Sequence, residues 1–117
     1  MAISESVLFW STVQQAHAIK TGEFTSRALL ELMIQQIESI NPKLNAVVSF
    51  DLANARAAAD AADKRVKSGQ PLEALHGIPI TIKDALQTKG LRSTGGAIEL
   101  HNNIPETNAP VVQAMVD

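Results

Sequence analysis

The sequence predicts an α/β fold, because two short β-rich runs flank an alanine-rich helix. The runs cover residues 45–50 and 77–83, and the helix between them covers residues 52–67. Alanine has the highest helix propensity, and the β-branched residues of both runs favour strands. About 26 residues separate the two runs, which leaves room for a right-handed helical crossover. We therefore expect neighbouring strands in one sheet, with the alanine-rich helix packed across them.

The composition limits the classes of protein that this chain can belong to. Its 117 residues are 45% hydrophobic and 19% charged, which suits one small globular domain. The net charge is −2 and no basic patch is present, so we expect no nucleic-acid partner. The chain has no cysteine and its three histidines are isolated, so we expect no metal and no other cofactor.

The same sequence contains no apolar run of the length that a membrane span needs. The first residues also lack the basic region that begins a signal peptide. We therefore expect a cytoplasmic protein that does not bind a membrane.

Apolar residues at helical spacing predict three further helices. Gly22 is placed to end the helix expected over residues 5–20, and Thr25 is placed to cap the helix that follows it. Pro42 disfavours a helical conformation at the residue before it, so the second helix should end there. Between residues 84 and 107, glycines and prolines indicate a long loop that holds one short helical turn. The three helices are expected over residues 5–20, 26–40 and 109–117.

A lysine, Lys83, ends the second β-rich run. Burial of an ammonium group is costly unless it is paired or neutralised, and a neutral amine is a competent general base. The alternative is a lysine that points to solvent and pairs loosely with Asp84. From the residues alone, the second arrangement is the more common one, because structural ion pairs also perturb lysines.

Three stretches of the chain resemble the amidase signature family of serine amide hydrolases. The first, which includes Lys83, is the specific one, and the other two are supporting context. The likeness extends over nearly the whole chain and favours the interpretation of Lys83 as a general base. The three stretches are residues 75–84, 88–96 and 108–112.

The resemblance implies both a fold and a mechanism. Family members form a mixed β-sheet flanked by helices on both faces, and they hydrolyse the C–N bond of a small-molecule amide. Their triad consists of a nucleophilic serine, a serine in a cis peptide and a lysine. The lysine that matches Lys83 is neutral and draws a proton through the cis serine from the nucleophile, which attacks the amide carbonyl. The resemblance thus assigns Lys83 as a catalytic residue.

The serine-bearing stretch of the family lies downstream and would begin beyond Asp117. Ser93 and Thr94 do not replace it, because they lack its surrounding glycine and serine pattern. We therefore expect residues 1–117 to be a single N-terminal fragment of an amidase domain, with an incomplete sheet and no activity alone. Two alternatives remain open: the amidase-related subunit of a tRNA-dependent amidotransferase, and a non-enzymatic domain that kept the fold.

Overall fold

Helices are the regular secondary structure of the computed structural model, which describes residues 3–117. We number the four α-helices α1 to α4 in chain order, and two short 3₁₀ helices accompany them. Along the chain these are a 3₁₀ helix Glu5–Phe9, α1 (Thr12–Thr21), α2 (Ser26–Leu44), α3 (Leu52–Lys67), a 3₁₀ helix Ile98–Leu100 and α4 (Pro110–Val116).

The predicted α/β fold with a mixed sheet is wrong for this part of the protein. Within residues 3–117, no segment forms a β-strand, and residues 45–50 and 77–83 lie outside the helices. A strand exists only where a second backbone completes its ladder of hydrogen bonds, and β-propensity supplies no such partner. Val48 and Phe50 are 58% and 49% exposed, so they lack the burial of a sheet covered by a helix.

The chain divides into two compact units. The first comprises Met1–Val47 and Leu52–Pro79, and the second comprises Val48–Asp51 and Ile80–Asp117. In the first unit, buried apolar residues of α1, α2 and the segments before them form one cluster. A smaller cluster joins α2 to α3 through Leu30, Ile34 and Ala59. The members of the larger cluster are Val7, Ala18, Ile19, Phe24 and Leu29.

The helix expected over residues 5–20 is divided in the structure. A 3₁₀ helix ends at Phe9, and α1 begins at Thr12 after Ser11, whose backbone is extended. The Ser11 hydroxyl accepts from the backbone N–H of Gln14 at 3.3 Å, and Gln14 Oε1 accepts from the N–H of Ser11 at 2.9 Å. This reciprocal capping box starts a new helix at Ser11, and the pattern Ser-x-x-Gln was its signal in the sequence.

The second helix continues past Pro42 and ends at Leu44. The backbone N–H of Asn45, which has a φ of 49°, donates to the carbonyl of Asn41 at 2.7 Å. The side chain of Asn41 also accepts from the N–H groups of Ala46 and Val47, at 2.9 and 3.0 Å. Pro42 lacks a backbone N–H, so it leaves one hydrogen bond of the last turn unmade. The bonds at Asn41 and Asn45 complete the end of α2 beyond the proline, and the helix therefore continues to Leu44.

The second unit is built mainly from turns, with α4 at its end. Val112 of α4 is fully buried, and Pro110 occupies the first turn, where a proline needs no N–H partner. The short helical turn that the sequence indicated inside the long loop is the 3₁₀ helix Ile98–Leu100. Across residues 3–117, every helix is too short or too polar to cross a membrane.

Candidate functional site

Lys83 lies on the surface of the second unit, at the start of a turn. Its side chain is exposed, and its carbonyl oxygen accepts from the N–H of Leu86 at 2.9 Å. None of the ion pairs formed within residues 3–117 includes Lys83. The amine is therefore in contact with solvent in this structure and has no carboxylate partner among the described residues.

The neighbouring Asp84 carboxylate is bound to Thr94. Asp84 Oδ2 accepts from the Thr94 hydroxyl, and Oδ1 accepts from the Thr94 N–H at 3.2 Å. The hydroxyl and N–H of Thr94 lower the pKa of Asp84, with smaller contributions from the N–H groups of Gly96 and Gly95. The loose pair between Lys83 and Asp84 that the surface interpretation suggested is thus replaced by a bond to Thr94.

Two asparagine side chains bond to the second stretch of the sequence pattern, residues 88–96, and one of them, Asn108, belongs to the third stretch. Asn103 Nδ2 donates to the carbonyl of Ser93 at 2.8 Å, and the Ser93 N–H donates to the carbonyl of Asn103 at 3.0 Å. Asn108 Oδ1 accepts from the N–H of Lys89 at 2.7 Å. Sequence analysis missed Asn103, whose only signal was its position next to glycine- and proline-rich turns, whereas Asn108 already belongs to the third stretch.

The hydroxyl of Ser93 is also occupied within the second unit. It donates to the carbonyl of Leu91 at 3.1 Å and accepts from the N–H of Thr88 at 3.2 Å. Ser93 is only 6% exposed. Its hydroxyl therefore holds a turn in place and is not directed to Lys83.

The beginning of the lysine-containing stretch belongs to the first unit. His76 Nε2 bonds to the carbonyl of Ala62 in α3 at 3.0 Å, and the hydroxyl of Ser26 donates to the carbonyl of Gly77. Ser26 is also bound through its N–H to Asp63 of α3 at 2.7 Å. These contacts hold residues 76 and 77 against the two helices that form the smaller core cluster.

Two other kinds of possible site in the described chain, a metal site and a ligand groove, do not involve the lysine-containing stretch. Among residues 3–117, no group of three histidine or acidic side chains is arranged to hold a metal ion. An open groove of about 360 Å³ in the first unit is lined by Trp10, Val13, Gln14, His17 and Glu23. The lysine-containing stretch contributes no side chain to that groove.

Comparison with known proteins decides the family. Residues 28–117 match the model of the Amidase family, which is more than half of the chain. The chain belongs to the amidase family. An acylamidase from Rhodococcus erythropolis is 32% identical to it over 114 residues, which is 97% of this chain and 24% of that protein.

Two further relatives show the range of activities in this amidase family. One subunit of the glutamyl-tRNA(Gln) amidotransferase of Lachnospira eligens is 37% identical, over 94% of this chain and 23% of that protein. An indoleacetamide hydrolase from Bradyrhizobium diazoefficiens is 38% identical, over 89% of this chain and 20% of that protein. This amidase-family chain thus spans less than a quarter of the length of these curated relatives.

The backbone agrees with the family assignment. A solved structure superimposes with a TM-score of 0.84 and 27% sequence identity, over 89% of this chain and 23% of the other. It was reported as part of a vestigial protein complex that reveals the evolutionary origins of an s-triazine catabolic enzyme. The helical arrangement of this chain therefore also occurs inside a much longer chain.

Proposed function

We propose that this chain is part of an amide hydrolase in which Lys83 activates a serine nucleophile. The observation that supports this most directly is the position of Lys83 in a pattern shared with the amidase family. Lys83 occupies the lysine position of the family pattern, and its side chain is exposed and outside every ion pair of residues 3–117. Such an amine is free to contact a serine supplied by another part of the protein.

The proposed chemistry needs a base, a relay and a nucleophile. Neutral Lys83 accepts a proton from the cis serine, which takes one from the nucleophilic serine as its oxygen attacks the amide carbonyl. The C–N bond then breaks, the departing amine takes up the proton, and an acyl-enzyme remains. Water attacks the acyl-enzyme and releases the acid. In our proposal both serines lie outside residues 1–117, and the substrate is a small-molecule amide.

Replacing the lysine in the full-length protein tests this proposal. Lys83→Ala should lower kcat for amide hydrolysis by about 10²–10⁴-fold, because the nucleophile loses its base. Lys67→Ala is the matched control, since Lys67 is an exposed lysine at the end of α3. The control should stay within about twofold of the wild type. A Lys83→Ala enzyme whose kcat also stays within a few-fold would contradict the proposal.

A second candidate function is that of an amidotransferase component. Relatives that carry the name of a glutamyl-tRNA(Gln) amidotransferase subunit reach 38% identity over 93% of this chain, as in Chloroflexus aggregans. Such a protein would couple glutamine hydrolysis to amide formation on a misacylated tRNA, and it would need a partner protein. Ammonia release from simple amides by the full-length protein alone supports the hydrolase. Release that requires the misacylated tRNA and a partner supports the amidotransferase, and release in neither assay supports a non-enzymatic domain.

A further inference from the structure

The carboxylate of Asp84, the residue directly after Lys83, is bound to Thr94. We propose that Thr94 and Asp84 are positioning residues that keep the carboxylate of Asp84 away from the amine of Lys83. This inference rests on the proposed function, because it assigns the two residues an effect on the base of that reaction.

Both oxygens of the Asp84 carboxylate are engaged by Thr94, one by its hydroxyl and one by its N–H. The carbonyl oxygen of Asp84 also accepts from the N–H of Gly95 at 3.1 Å. In turn, Thr94 Oγ1 accepts from the N–H of Gly96 at 3.0 Å. The carboxylate is therefore oriented by two bonds from Thr94, and the bonds of Gly95 and Gly96 hold the backbone of Asp84 and the hydroxyl of Thr94 in place.

The backbone of the loop is suited to this arrangement. Gly95 and Gly96 have φ values of 58° and 79°, in the left-handed region that glycine adopts without steric penalty. They turn the chain directly after Thr94, so that two successive N–H groups point back toward Asp84 and Thr94. The two adjacent glycines thus allow a threonine to present both of its donors to one carboxylate.

The chemical reason concerns the charge beside the base. A carboxylate within about 4–6 Å of an amine favours the protonated form, which cannot accept a proton from a serine. Asp84 directly follows Lys83, so it is the acid placed to have this effect. The groups that lower the pKa of this carboxylate belong to Thr94, Gly96 and Gly95, and none of these residues has a titratable side chain. The bonds from Thr94 therefore determine where this negative charge lies.

A pair of substitutions at Thr94 tests the inference through the pH profile of kcat/KM in the full-length protein. Thr94→Val keeps the shape of the side chain but removes the hydroxyl, which releases Asp84 Oδ2. The acidic limb of the profile should then move up by about one pH unit, because a freed carboxylate favours the ammonium form. Thr94→Ser keeps the hydroxyl and should restore the wild-type profile. A Thr94→Val enzyme with lower kcat but an unmoved limb would show a purely structural role and overturn the inference.

A substitution at Asp84 supplies an independent test if Thr94→Val fails to fold. Asp84→Asn removes the charge but keeps an oxygen that can accept from Thr94. Because the carboxylate does not pair with Lys83 in the structure, the acidic limb should stay where it is in the wild type. A downward movement of about one unit would show that Asp84 stabilises the ammonium form, and would overturn the inference.

These outcomes are distinguishable from failure of the proposed function. If Lys83→Ala leaves kcat unchanged, the proposed function is wrong and the profile reports another group. If Lys83→Ala abolishes activity while Thr94→Val leaves the acidic limb in place, the lysine is the base and only the positioning role is wrong.

Discussion

The hydroxyl of Ser26 donates a hydrogen bond of 2.6 Å to the carbonyl oxygen of Gly77. Ser26 is 2% exposed and is the first residue of α2. A Cβ atom built on Gly77 would lie 3.1 Å from the Cβ of Ser26 and 3.3 Å from Cγ2 of Ile19. The bond and the close approach together hold the start of the lysine-containing stretch against α1 and α2.

Loss of the Ser26 hydroxyl should destabilise the first unit. In Ser26→Ala the carbonyl of Gly77 loses its donor in a partly buried site, which costs about 0.5–1.5 kcal/mol of unfolding free energy. Ser39→Ala is the control, because the exposed Ser39 bonds only to the carbonyl of Gln36 within the same helix. That variant should stay within about 0.5 kcal/mol of the wild type. Urea denaturation measures both, and equal midpoints would contradict the expectation.

A methyl group at Gly77 should be more damaging than one at Gly69. Both glycines have positive φ values, 76° and 70°, so alanine is strained at either position by about 1–2 kcal/mol. At Gly69 nothing lies within 4 Å of the added Cβ, whereas at Gly77 the methyl group meets Ser26 and Ile19. Overpacking adds about 1–3 kcal/mol in Gly77→Ala. Thermal unfolding of the two variants isolates this difference, and identical melting temperatures would show that the site relaxes freely.

Acid should weaken the contact between α2 and α3 through Glu31. Hydrogen bonds from Arg56 and Arg27, each 2.7 Å from Nε to Oε1, lower the pKa of Glu31 from 4.5 to about 2. The stabilisation is complete above about pH 4.5 and is lost as the pH falls toward 2, because only the ionised carboxylate holds both guanidinium groups. Since Glu31 is partly exposed, water screens the pairs to about 1 kcal/mol or less.

The variant Glu31→Gln tests this pH dependence. Its unfolding free energy should lie below that of the wild type at pH 7, and the two should converge near pH 2. Glu106→Gln is the control, because Glu106 is exposed and outside this ion-pair network. Denaturation curves at several pH values measure the difference in unfolding free energy between each variant and the wild type. A constant difference between wild type and Glu31→Gln from pH 7 to pH 2 would rule out the assigned cause.

The 117-residue chain by itself should not hydrolyse amides. In our proposal Lys83 supplies only the base, and the hydroxyls of Ser93 and Thr94 are bound to Leu91 and Asp84. An ammonia-release assay on several amides, together with a serine-hydrolase activity probe, measures this. Turnover that survives purification of the chain would show that a nucleophile lies within these residues.

The amino-acid sequence by itself determined the features that depend on neighbouring residues. The side chain of Thr25 caps α2 by accepting from the N–H of Ala28, and Gly22 ends α1 with a φ of 76°. Both roles follow from local backbone chemistry, which is why they could be read from the chain. The lysine-containing stretch likewise predicted the family, because a motif is a property of residue order.

Only the tertiary structure decided how distant segments meet. Whether residues 45–50 and 77–83 form strands depends on a partner backbone, and none of residues 3–117 supplies one. The continuation of α2 past Pro42 likewise depends on bonds that the side chain of Asn41 forms with Ala46 and Val47, two residues that follow the helix. Asp84 and Thr94 lie ten residues apart without a periodic pattern to link them, so their contact could not be read from spacing. Hydrogen-bond partners far apart in the chain are selected by the path of the backbone, which local propensity does not encode.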